Sequence, residues 1–92
     1  MKLNFNFNLT DLDGKELEGA NSGKLLANTL IQQTKGDAVK YWEWALKLNK
    51  GEVLDLDTSD QDALKTFVKD SETITVLAKA QLLAVFAKSK ED

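Results

Sequence analysis

The chain has 92 residues, 42% apolar and 29% charged, and a net charge of −3. That size and balance fit one small globular domain and exclude an intrinsically disordered polymer. It has no cysteine and no histidine, which removes disulfides, thiolate metal sites, the commonest general base and the commonest transition-metal ligand.

Met1-Lys2 leads into alternating asparagines, not an apolar run, so no signal peptide is expected. Leu3, Phe5, Phe7 and Leu9 alternate with Lys2, Asn4, Asn6 and Asn8. A period of two predicts a strand with one buried face, and burial must carry it because asparagine is a poor strand former. Thr10–Gly14 (TDLDG) ends in Asp-Gly, a hairpin turn signal, and a short return strand over Lys15–Glu18 completes a hairpin at 2–18. A lone hairpin is marginal in water, so this one must lie on helices.

Gly19–Gly23 (GANSG) reads as a loop, with Asn21 or Ser22 as N-cap of a first helix over about 23–35. Leu26, Ala27, Leu30 and Ile31 form its core stripe, and Gly36 reads as its stop. GANSGKL falls between strand and helix like a phosphate-binding loop. Its glycines are one residue too close, however, and Leu25 stands where a hydroxyl is needed, so a plain capped helix start is the expectation.

Asp37 is the expected cap of a second helix over about 37–49, ended by Gly51. This helix carries Tyr41, Trp42 and Trp44, and only Lys40, Glu43 and Lys47 form a polar strip. Its apolar arc covers roughly 220°, about twice what a surface helix presents. One flank, Ala38, Val39, Trp42, Ala45 and Leu46, is expected to be core. The other, Tyr41, Trp44 and Leu48, is the expected partner-binding edge, since tryptophan and tyrosine dominate binding hot spots.

Glu52–Asp57 (EVLDLD) reads as an extended connector in preference to a third short strand. Thr58 and Gln61 have the spacing of a capping box that opens a third helix over about 59–70, with Leu64, Phe67 and Val68 inward. The acidic run Asp55, Asp57, Asp60 and Asp62 begins like a calcium loop. Asp60 and Thr66 occupy the positions that need glycine and glutamate, so a charged helix start is the expectation. Ser71-Glu72-Thr73 caps a fourth helix over about 74–88, followed by a frayed tail, Lys88–Asp92. That helix has two apolar stripes: Ile74, Ala78, Leu82, Val85 and Phe86 on one, Val76, Ala80, Leu83 and Ala87 on the other. Only Lys79, Gln81 and Lys88 are expected to seek water. The segment is too broken to span a bilayer, so no membrane association and a cytoplasmic location are expected.

The fold class is therefore α+β, an N-terminal β-hairpin packed on a bundle of about four short helices in one domain, 1–92. No catalytic residue, cofactor or metal site is expected: the serines lie at caps or in the tail, and nothing places two carboxylates in one cleft. Specific nucleic-acid binding is not expected either, because the twelve basic residues are all lysine and arginine is the usual reader of guanine. Two over-apolar helices in so small a domain leave surface for a second chain. The leading expectation is a non-enzymatic protein-interaction module that binds a protein partner or self-associates as a homo-oligomer through Tyr41, Trp44, Leu48, Val76 and Leu83. One alternative is an acidic inhibitor of a host defence or nucleic-acid-binding protein, using Asp55, Asp57, Asp60 and Asp62 as mimic charge. Another is a small-ligand binder with a pocket between hairpin and helices.

Lys35–Leu48 (KGDAVKYWEWALKL) and Ile74–Leu83 (ITVLAKAQLL) resemble small proteins of tailed phages and prophages. The resemblance implies a phage-encoded accessory protein, active in the host cytoplasm or in virion assembly. It carries over no functional residue.

Overall fold

A computed structural model describes residues 2–91. The elements are β1 (Lys2–Leu3), β2 (Asn8–Thr10), β3 (Glu16–Asn21), α1 (Ser22–Ile31), α2 (Ala38–Asn49), β4 (Leu54–Asp55), α3 (Thr58–Asp70) and α4 (Val76–Glu91). The α+β class holds, with an N-terminal hairpin against four helices.

The hairpin is β2 with β3, antiparallel, Asn8 opposite Asn21 and Thr10 opposite Glu16. Its turn is held by Asp11, whose carboxylate accepts from the N–H groups of Asp13 and Lys15 at 2.9 and 3.0 Å. Gly14 takes the left-handed conformation that the Asp-Gly pair predicts. The return strand is longer than expected. It absorbs Gly19-Ala20 and ends at Asn21, so GANSG is no loop. Asn21 is the last strand residue and also the cap of α1, accepting from Lys24 N at 3.0 Å.

The predicted first strand is broken in two. Asn4 Oδ1 accepts from Asn6 N at 2.9 Å, and Phe7 N donates to the Phe5 carbonyl at 2.9 Å, which folds the backbone into a tight turn. Lys2–Leu3 pairs instead with Leu54–Asp55, so the connector does supply a third short strand. The alternation survives the break: Leu3, Phe5 and Leu9 are buried and Phe7 is partly so. The turn also serves α1. The Phe5 carbonyl accepts from Gly23 N at 2.9 Å and from the Ser22 hydroxyl, and the Phe7 carbonyl accepts from Ser22 N at 2.8 Å.

Helix α1 stops at Ile31, short of the expected Lys35, where its apolar stripe gives way to the polar run Gln32–Lys35. Gly36 therefore does not end it. At φ +108° this glycine lets the connecting loop pass over Tyr41, and a Cβ there would meet the Tyr41 ring at 2.7 Å. At the far end of α2, Gly51 N donates to Leu48 O at 3.1 Å and Glu52 N to Lys47 O at 3.0 Å. This pair of bonds is a Schellman ending, with Gly51 at φ +78°.

Asp57, not Thr58, caps α3, accepting from Asp60 N at 2.7 Å. Gln61, expected to close a capping box, is instead 2% exposed, and its Oε1 has no hydrogen-bond partner among the described residues. Helix α4 starts at Val76, two residues later than expected, and its first turn is capped by Thr75 and not by Ser71–Thr73: Thr75 Oγ1 accepts from Ala78 N at 3.3 Å. Of the expected core stripe, Ala78, Leu82 and Phe86 on α4 and Ile74 just ahead of it are buried while Val85 is only partly so, and Phe86 meets Phe5 edge to face at 5.7 Å. Two residues expected to seek water bind other elements. Gln81 grips the backbone of Thr10, accepting from its N–H at 2.9 Å and donating to its carbonyl at 2.8 Å. Lys79 Nζ donates to the carbonyls of Lys69 and Ser71 at the end of α3. Helix α4 runs on to Glu91, where a frayed tail was expected; Asp92, the rest of that tail, and Met1 lie outside the described residues.

Candidate functional site

Helix α2 has two apolar faces, and the fold decides between them. Asp37 caps it as expected, accepting from Lys40 N at 3.1 Å. Tyr41, Trp44, Ala45 and Leu48 follow the i, i+3, i+4, i+7 spacing of one face. Trp44 is 7% exposed, Ala45 and Leu48 are buried, and Tyr41 packs partly buried against them. Tyr41 stacks on Trp44 at 5.8 Å and meets Phe67 of α3 edge to face at 5.4 Å. This is the edge that sequence pattern offered to a partner, and it is core.

The opposite face is the exposed one. Trp42 is 57% exposed, Val39 69% and Leu46 42%. At 100° per residue the three fall within an arc of about 60°. Both flanks are apolar, so the period alone cannot rank them; on the inner one Tyr41 finds Phe67, an aromatic partner on another helix, and stacks on Trp44 beside it. One signal was present in the sequence. The quartet 41, 44, 45, 48 is wholly apolar, whereas 39, 42, 43, 46 contains Glu43.

The residues expected to form one surface are thus dispersed. Trp44 and Leu48 have no free surface to offer, and Tyr41 and Leu83 pack on the core. Val76 alone among them is fully outward, at 84% exposed. No family model matches the chain. Neither a curated protein nor a solved structure is significantly similar to it.

The acidic run is partly spent on the fold. Asp57 caps α3, and Asp60 accepts from Lys40 Nζ at 2.6 Å, joining α3 to α2. The hydrogen bond and charge of Asp60, with the nearby Asp37 and Asp57, raise the Lys40 pKa against a smaller desolvation effect. Asp55 and Asp62 are exposed. Among the described residues no three carboxylates gather as a metal-binding group. The GANSGKL segment is also committed: the amides of Ser22, Gly23 and Lys24, which would cradle an anion, donate to Phe7, Phe5 and Asn21.

Concave surface lies beside the exposed face of α2. A depression of about 510 Å³ is walled by Ile31, Lys35, Gly36, Ala38, Tyr41 and Trp42. A second, of about 480 Å³, is walled by Tyr41, Phe67, Asp70, Ser71, Glu72 and Thr73. Gln33 and Tyr41 line both, so the two meet at that pair. A third, of about 610 Å³, lies between the asparagine-bearing segment and α4, with Lys2, Gln81 and Lys88 on its walls.

Proposed function

We propose that the chain is a non-enzymatic protein-interaction module that binds another protein stoichiometrically through the outer face of α2. The observation that carries this reading is Trp42, more than half exposed between Val39 and Leu46 on one helical stripe. A tryptophan held in water by a rigid helix is the residue type that anchors interfaces, and its aliphatic neighbours exclude water around it. Scattered single apolar residues carry no such meaning; three on adjacent turns of one helix do. An accessory role of this stoichiometric kind, in phage assembly or against a host factor, is part of the same proposal. The acidic-mimic reading is weakened, because Asp57 and Asp60 are engaged within the chain.

A photo-reactive residue at position 46, introduced in the source cells, tests the proposal. It gives a crosslinked product of discrete mass that disappears when Trp42→Ala is added. The same probe at Leu12, the exposed tip of the hairpin, gives none. Equal crosslinking from both positions, or a product indifferent to Trp42→Ala, sinks the reading.

A further inference from the structure

The two depressions that meet at Tyr41 differ in chemistry, and the difference describes an occupant. The one beside Trp42 is walled by Ile31, Ala38 and the Trp42 ring, with Lys35 at its rim. The one beyond Tyr41 carries Asp70 and Glu72, both exposed and both without an ion-pair partner among the described residues. The Lys79 ammonium lies at this loop on the carbonyls of Lys69 and Ser71 and forms no ion pair with either carboxylate. An apolar slot and an acidic slot therefore adjoin, with Gln33 lining both.

We infer that this double groove binds an extended segment of a partner protein carrying a large apolar side chain and, a short step along, a lysine or arginine. The inference rests on the reading of Trp42 as a contact residue and adds the chemistry of what it contacts. The apolar side chain fills the slot beside Trp42, and the basic group reaches Asp70 and Glu72. Lys35 repels a basic group at the apolar end, so the segment lies in one direction only. The net charge of −3 draws basic segments toward the surface before they dock. A second copy of this chain, itself acidic, is the less complementary occupant.

The test is an array of short random peptides probed with the intact protein, followed by fluorescence anisotropy on the labelled peptides it selects. The selected peptides share a large apolar residue near a lysine or arginine. Trp42→Ala weakens them by about tenfold or more. Asp70→Asn with Glu72→Gln weakens them several-fold and removes most of the salt dependence. Leu12→Ser changes nothing. All of these positions are exposed, so the variants fold, and circular dichroism verifies it. Selected peptides without a basic residue, or indifferent to the Asp70/Glu72 change, overturn the inference and leave the Trp42 contact standing. Indifference to Trp42→Ala overturns both. An array that selects nothing overturns the inference, as does a concentration-dependent dimer abolished by Trp42→Ala, which makes a second copy the occupant.

Discussion

Trp42 and Trp44 are two residues apart on one helix and have opposite fates. Trp44 is wedged against Tyr41, which bridges it to Phe67 of α3, while Trp42 stands out in water between Val39 and Leu46. Helical rotation puts them about 200° apart, so a helix packed on one side only buries one and exposes the other. What selects the buried one is the company available inside. The same indole is structural on one side of α2 and available for contact on the other, and residue type alone assigns neither role.

Truncation separates the two faces most strongly. Trp44→Ala empties a filled core site, and a loss of about 3–5 kcal/mol is expected in urea unfolding. Against a typical stability of about 5–15 kcal/mol, that loss unfolds much of the population if the domain is near the lower bound. Trp42→Ala is expected to stay within about 0.5 kcal/mol of the wild type. Equal losses at the two sites would mean that the outer face is not outer at all.

The boundary between the faces is Tyr41, and Gly36 controls it. Gly36→Ala forces a side chain into a left-handed backbone conformation and brings a Cβ to 2.7 Å from the Tyr41 ring. Backbone strain of this kind costs about 1–3 kcal/mol. Because Tyr41 stacks on Trp44 and lines both depressions, the variant is also expected to shift the fluorescence of the buried tryptophan. A stability loss with no spectral change would place the strain in the loop alone and leave the groove wall where it is.

How far the sequence reveals this arrangement depends on the physics involved. The hairpin turn, Asn21 and Asp37 as caps, the Gly51 ending and the Ile74–Phe86 core stripe all follow from local rules, and all are present. The pairing of Lys2–Leu3 with Leu54–Asp55 joins segments some fifty residues apart, and no local rule reports it. Gln81 shows the same limit. Its amide looks like a solvent group in the pattern of α4 but mimics a strand edge against Thr10. The two faces of α2 are both apolar apart from Glu43 on the outer one, a weaker signal than Phe67, a residue of another helix that meets Tyr41 on the inner one.

Helix α4 repeats the contrast of α2, with Leu82 fully buried and Val76 outward, and Gln81 lies between those extremes. Gln81→Ala leaves the Thr10 N–H and carbonyl without their side-chain partner, at a cost of about 1–2 kcal/mol. Gln81→Glu keeps an acceptor for the N–H but sets a carboxylate against the Thr10 carbonyl, and it is expected to be no better than alanine. If the glutamate variant matched the wild type, water would be serving the carbonyl, and α4 would lack a polar tie to the hairpin.

The smallest effect belongs to the polar edge of α2. Lys40 has a pKa raised above the ordinary 10.5, chiefly by its hydrogen bond to Asp60 and then by that carboxylate's charge. A cation whose pKa rises on folding stabilises the fold fully below its unfolded pKa, and that contribution is lost as pH climbs through the folded value. The tether between α2 and α3 is therefore intact at neutral pH and fails in the alkaline range above 10.5. Lys40 is half exposed, so water screens the contact and its contribution is small. Comparing wild type with Lys40→Met isolates this contact. The gap between their urea midpoints is expected to be slight at neutral pH and to close in the alkaline range above the raised Lys40 value. A gap that persists there would mean that the Lys40 stem, not its charge, holds the outer edge of α2 to α3.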